Sequence, residues 1–128
     1  MKSAPAILQR VALAIILGAC SGAPARETAQ PSVAPDALAI GAKDLAFSTD
    51  ALSAPAGQPF QIVFDNREAA PHNVAIYRDA SLSEKILAEE PFGGPRMVVY
   101  QVPALAPGTF FFRCDLHPDM VGTLIVEG

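Results

Sequence analysis

The sequence predicts an all-β fold, a Greek-key β-sandwich, carried behind an export leader and a linker. Three observations predict it. From residue 37 onward, apolar and polar residues alternate in short runs, the period of a strand with one buried face. Clusters containing Pro, Gly, Asn and Asp separate the runs. One connection, residues 79–95, is too long for a hairpin, and a long connection among hairpins is what a Greek key requires. Composition agrees. A chain of 128 residues that is 51% hydrophobic and 17% charged is one domain with appendages rather than a disordered polar polymer. A net charge of −4 with no basic block argues against nucleic-acid binding, and two cysteines are too few for a disulfide scaffold.

The first element is residues 1–19. Lys2 and Arg10 flank a short apolar run, Val11 to Leu17, which is too short to span a bilayer as a helix. Leu17-Gly18-Ala19-Cys20 follows and resembles the lipobox of bacterial lipoproteins. That resemblance implies cleavage before Cys20 and a diacylglycerol on its thiol. The alternative is an ordinary secretory signal with Cys20 left to pair with Cys114. Losing Lys2 and Arg10 makes the mature chain more acidic, so acyl chains rather than charge would hold it to a membrane. Residues 20–36 form the second element, the lipidated Cys20 and a linker with Pro24, Pro31 and Pro35 and no apolar period.

Residues 37–128 are the folded domain. A strand is expected within 37–47. Phe60, Ile62 and Phe64 alternate with Gln61, Val63 and Asp65, and Val74 and Ile76 alternate with Asn73 and Tyr77. Val98, Tyr100 and Val102 mark a further strand, and residues 109–114 and 122–127 the last two. Turns are expected at 54–57, at Asp65-Asn66 and at Pro107-Gly108. Within 79–95 the pattern suggests a helical turn around residues 81–87. Three consecutive aromatics, Phe110 to Phe112, read as core with one ring outward. Glu84, Glu89 and Glu90 read as a solvated face.

The chemistry concentrates in few residues. The chain has two histidines, His72 and His117. Cys114, His117 and Met120 lie in Cys-Asp-Leu-His-Pro-Asp-Met, and His72 stands upstream in Pro71-His72-Asn73-Val74. Strand parity links them: His72 shares a face with Val74 and Ile76, Cys114 with Phe110 and Phe112, and Met120 with Leu124 and Val126. His117 falls in the loop between the last two strands. A histidine and a free thiol aimed into an apolar core are costly without a partner, and a metal is the natural one. Two imidazoles, a thiolate and a thioether suit copper in a trigonal site with a long axial Met. Zinc gains little from the thioether.

On these residues the domain resembles a cupredoxin of the plastocyanin and amicyanin group. The similar pieces are residues 71–74 and 114–122, and the short ligand loop is similar to that of amicyanin. The resemblance implies one type 1 copper ion, with His72, Cys114 and His117 as equatorial ligands and Met120 as the axial one. It implies that Asn73 ties the two ligand segments together by hydrogen bonds. It also implies that electrons leave through the loop histidine, across a patch that Pro71, Leu116 and Pro118 would form here. Arg113 stands where many plastocyanins have a Tyr that gives a second electron route. Asp115 and Asp119 would steer a basic partner or solvate the loop.

The function expected is a single-electron carrier between a protein donor and a protein acceptor, a monomer without a small-molecule substrate and not an enzyme. The alternative is an extracytoplasmic copper-delivery protein, for which the His and Met content is poor. Multicopper enzymes of this fold need more histidines, and a binuclear copper loop needs a second Cys. Location follows from Cys20: extracytoplasmic and lipid-anchored. Ser21, rather than Asp, follows the lipidated residue, which favours the periplasmic face of the outer membrane in a Gram-negative cell. In a cell with one membrane, its outer face is expected.

Overall fold

Nine strands follow one another in the computed structural model, which describes residues 32–128 together with Gly22. They are β1 (Leu38–Lys43), β2 (Ala46–Phe47), β3 (Ala51–Pro55), β4 (Phe60–Asn66), β5 (Ala75–Tyr77), β6 (Lys85–Leu87), β7 (Arg96–Val102), β8 (Gly108–Cys114) and β9 (His117–Glu127). One sheet has the order β2-β1-β4-β7 and the other β3-β9-β8-β5-β6. Both are mixed, because β1 runs parallel to β4 and β3 parallel to β9, while the other neighbours are antiparallel. The all-β architecture is the expected one. The leader, Cys20 and most of the linker lie outside the described residues. Ser32 and Ala34, at the linker's end, already bond Gln61 of β4.

The alternation seen in the sequence becomes the core. Ile62 and Phe64 of β4, Tyr100 and Val102 of β7, Phe110 and Phe112 of β8, and Leu124 and Val126 of β9 are buried together. Phe64 is the hub, with the rings of Phe47, Phe92 and Tyr100 at centroid distances of 6.4, 5.5 and 5.9 Å. Burying a ring or a branched aliphatic here contributes about 1.5–3 kcal/mol of transfer free energy each. That rigid floor supports one end of the sandwich, where the chain's soft donors meet.

Three local expectations need correction. No helical turn occupies residues 81–87. The Asp79 carboxylate accepts the Ser81 amide at 2.8 Å and its hydroxyl at 2.5 Å, which closes an Asx-type turn. Leu82 then takes a left-handed φ of 57°, and residues 85–87 pair with β5 as a strand. The expected turn at Asp65-Asn66 is instead the end of β4. Asn66 is fully buried and its amide nitrogen donates to the carbonyls of Ala70 and Phe92. Of the turn expected at 54–57 only residues 56–57 turn, with Gly57 at φ 77°, because Ala54 and Pro55 extend the edge strand β3 along β9.

Candidate metal centre

Two segments build the site. The first is the β4–β5 connection, where His72 forms a two-way backbone bridge with Phe92, His72 N to Phe92 O at 3.1 Å and the reverse at 3.0 Å. The bridge pins His72 before β5 begins, and its side chain is fully buried. The second is the β8–β9 hairpin. Its turn is two residues, Asp115 and Leu116, and a register shift at Arg113/Cys114 sets Cys114 directly opposite His117. Such a shift re-aims one side chain, and directly opposed residues on a sheet lie within contact distance. His117 therefore opens β9 rather than sitting in a loop, as the sequence suggested.

The consequence is a cluster of donors. Cys114 Sγ lies 3.7 Å from His72 Nδ1 and 3.4 Å from His117 Nδ1, and the two rings are 4.6 Å apart at 49°. One ligand atom from each of the three residues falls within 4.8 Å of the other two. Met120 is buried in the same core, two residues along one face from Gly122 and four from Leu124. Cys114 is a free, fully buried thiol. His117 is half-buried, with exposed Leu116 and Pro118 beside it in the chain, and Pro71 before His72 is exposed too. Asp119 is exposed.

Asn73 joins the two segments. Its Oδ1 accepts the Asp115 amide at 2.8 Å, and its Nδ2 donates to Glu89 O at 2.9 Å and to Asp115 Oδ2 at 3.2 Å. Side-chain support of this kind fixes where a ligand loop sits. Asp115 is not simply a solvated loop residue. Its carboxylate also accepts the Tyr77 hydroxyl at 2.5 Å and Lys85 Nζ at 2.9 Å, with Arg113 Nε at 3.7 Å. Burial pushes the Asp115 carboxyl up, but the bonds from Tyr77, Lys85 and Asn73 outweigh it and hold it below the usual carboxylate range. The hydrogen bond to Asp115 in turn raises Lys85. Tyr77 alternates with inward residues in the sequence yet is buried, because both it and Asn73 turn to Asp115. The Arg113 guanidinium lies 5.3 Å from the Tyr77 ring centroid, so an aromatic ring stands next to the ligand strand despite the Arg.

The sequence reading missed Glu68. Its Oε1 accepts a hydrogen bond from His72 Nε2 at 2.6 Å. The Leu45 amide, then His72, holds the Glu68 carboxyl below its ordinary range. Glu68 lies four residues before His72 in an irregular connection, where no periodic signal exists to read.

Residues 9–126 match the profile of the cupredoxin-like domain. The chain is similar to amicyanin of Paracoccus versutus, 30% identical over 105 residues, covering 80% of this chain and 74% of that protein. It is similar to amicyanin of Paracoccus denitrificans, 30% identical over 102 residues, covering 77% and 72%. In fold it is similar to auracyanin A, a "blue" copper protein of Chloroflexus aurantiacus. That match has a TM-score of 0.64 at 24% identity and covers 71% of this chain and 98% of that one.

Proposed function

Because the chain belongs to the cupredoxin-like family, we propose that it is a type 1 copper protein that carries single electrons between extracytoplasmic redox proteins. The observation that carries this reading is the convergence of Cys114 Sγ, His72 Nδ1 and His117 Nδ1 within 4.8 Å at one end of a rigid sandwich. The donors fit the metal: a thiolate, two imidazoles and a buried thioether are a set that copper takes, so Cys114, His72, His117 and Met120 would hold it. When bound, copper would supply one-electron exchange between Cu(II) and Cu(I).

The chain's own residues supply the rest. The β8–β9 hairpin and the His72–Phe92 bridge hold the donors in place, so neither oxidation state requires the backbone to rearrange. Asn73 locks the hairpin to the His72 segment. The apolar surround of Phe112, Leu124 and Val74 excludes water from the thiol. The half-exposed ring of His117, with exposed Leu116 and Pro118 on either side of it in the chain, is the side on which a redox partner would reach the centre. Cupredoxins are electron carriers in general rather than enzymes, and this reading assigns the chain no substrate turnover. The leader and Leu17-Gly18-Ala19-Cys20 support an extracytoplasmic site with Cys20 lipidated, and residues 21–36 tether the domain 37–128. No helix among the described residues is long and apolar enough to cross a membrane.

The visible spectrum of the exported full chain loaded with Cu(II), beside Cys114→Ala, tests the reading. An intense blue band in the parent, lost in the variant, is the expected result. Copper binding without that band in the parent would remove the electron-carrier reading and favour copper delivery.

A further inference from the structure

The two ends of the sandwich differ in chemistry, and the described end of the linker meets the one without donors. β4 runs from Phe60 to Asn66, and Asn66 bonds the Phe92 carbonyl that also accepts His72 N–H, so β4 finishes at the metal end. Gln61 stands near its start, about 17 Å back at roughly 3.3 Å per residue. Its side chain grips the linker from both sides. Oε1 accepts the Ala34 N–H at 2.6 Å, and Nε2 donates to the Ser32 carbonyl at 3.1 Å. The Ala37 N–H then closes on Ala34 O at 3.1 Å, and Leu38 enters β1 opposite Ile62. Residues 32–38 are thereby fixed at the end away from the donors. That end is uncharged. Residues 55–60 and 102–108 build it, joined by Gly57 N on Leu105 O at 2.9 Å. Neither run contains Lys, Arg, Asp or Glu, and Pro59, Pro103, Ala104, Ala106 and Pro107 are exposed. Asp36 and Glu127 stand at its margin. The metal end, by contrast, carries Asp44, Glu68, Asp115 and Asp119.

We propose that this uncharged end is the bilayer-facing surface of the anchored chain, and that the metal centre points away from the lipid toward a partner arriving through water. The proposal rests on the lipidation of Cys20 read above. Residues 20–31 reach at most about 40 Å when fully extended, so the tether alone lets either end touch the bilayer. Charge decides between them. Anionic headgroups repel the acidic metal end and meet no like charge on residues 55–60 and 102–108. The Gln61 clasp delivers the tether at that same end, so the anchor and the surface act together. β9 runs from His117 at the metal end to Glu127 at the other, which sets the centre about 30 Å above the lipid. A carrier dissolved in that bilayer cannot reach it. The donor and acceptor are therefore water-soluble redox proteins, or ones whose redox centres project well clear of the membrane.

The test uses the exported full chain in nanodiscs of phosphatidylethanolamine and phosphatidylglycerol whose headgroups carry a gadolinium chelate. Amide NMR of the metal-free and Cu(I) forms reads which end the gadolinium broadens. Paramagnetic relaxation falls with the sixth power of distance and the ends are tens of Å apart, so amides 56–58 and 104–106 should relax at least about tenfold faster than 67–70 and 115–117. Ala104→Glu combined with Ala106→Glu puts like charge on the surface without touching the core, and should erase that contrast. The Ala34 amide should exchange slowly with water in the wild type and rapidly in Gln61→Ala. Equal broadening at both ends of the wild type overturns the proposal, and so does stronger broadening at the metal end. A double Glu variant that keeps the contrast overturns it too, as does an Ala34 amide that exchanges freely in the wild type. A chain that takes up no fatty-acid label removes the anchor reading and this proposal with it, whereas a labelled chain with the wrong pattern removes the proposal alone. The pattern is read with or without metal, so a missing blue band would sink the copper reading and leave the orientation standing.

Discussion

Single residues at the site are of two kinds. His72, Cys114 and Met120 were legible because their chemistry is rare in this chain and their parity matched the core, and His117 because it is one of two histidines and stands between Cys114 and Met120. Glu68, Tyr77 and Lys85 were not, because a hydrogen-bond partner is chosen by proximity in space and common residues leave no mark in sequence. Asp115 was read as a surface charge and is the centre of a clamp, since only the fold brings Tyr77 and Lys85 to it. Tyr100 belongs to this scale too. Its ring packs on Phe64 with 3% of the residue exposed, its hydroxyl makes no hydrogen bond of good geometry, and burial, only partly opposed by the nearby Val74 backbone, raises its pKa to about 12. The unfolded chain ionises near the ordinary value of about 10, so between about pH 10 and 12 it releases a proton that the native state keeps. Stability then falls as pH rises, by at most about 1.4 kcal/mol per unit from this residue. Tyr100→Phe should match the parent or exceed it in stability near neutrality, since a buried hydroxyl without a well-formed hydrogen bond is removed. It should also lose less between pH 9 and 11. Urea melts at both pH values check this, and a parallel alkaline loss in the two proteins would contradict it.

At the scale of elements, the β8–β9 hairpin decides the most. The sequence indicated both strands and their inward faces, yet it started the last strand at residue 122, five residues late. Residues 117–121 look like loop because Pro118 and Asp119 interrupt the apolar period, and only pairing with β8 makes them strand. Edge elements suffered similarly. β3 is a small, weakly apolar run recognisable only through its parallel pairing with β9, and β6 exists because β5 offers it an edge. Gly122 shows how tightly the hairpin is packed. It faces Phe112 across the ladder, and a Cβ there would run into the Phe112 ring and come within 2.7 Å of Asp50 O. Gly122→Ala should therefore destabilise the domain by about 1–3 kcal/mol, the usual range for overpacking. A thermal melt reads the effect, and an unshifted midpoint would mean that Phe112 has room to move.

For the whole molecule, the proposed order is leader, lipidated Cys20, linker and a sandwich carrying its site at one end. The proposal that Cys20 anchors the chain predicts a change of compartment without a change of site. Cys20→Ala should leave the membrane fraction for the soluble extracytoplasmic one and keep the spectrum of the copper-loaded parent. Detergent phase partitioning with metabolic labelling by a radioactive fatty acid measures this; a parent that takes up no label would refute the anchor. The domain itself is held by the interior shared between two sheets, which Phe47, Phe64 and Phe112 span. A site supported by that interior can be rigid while its outer rim, His117, Leu116 and Pro118, stays open.

What the amino-acid sequence determined by itself was the fold class, the inward faces of the main strands and the membership of the donor set. Each of these depends on period, on composition or on rare residue types, which are local properties of a chain. What only the tertiary structure decided was the pairing of His117 with Cys114, the closure of the turn at Asp79 in place of a helix, and the two polar clamps through Asp115 and Glu68. Those depend on which edges and side chains meet across tens of residues. A carboxylate becomes a clamp, and a loop becomes a strand, when a partner arrives from a distant part of the chain.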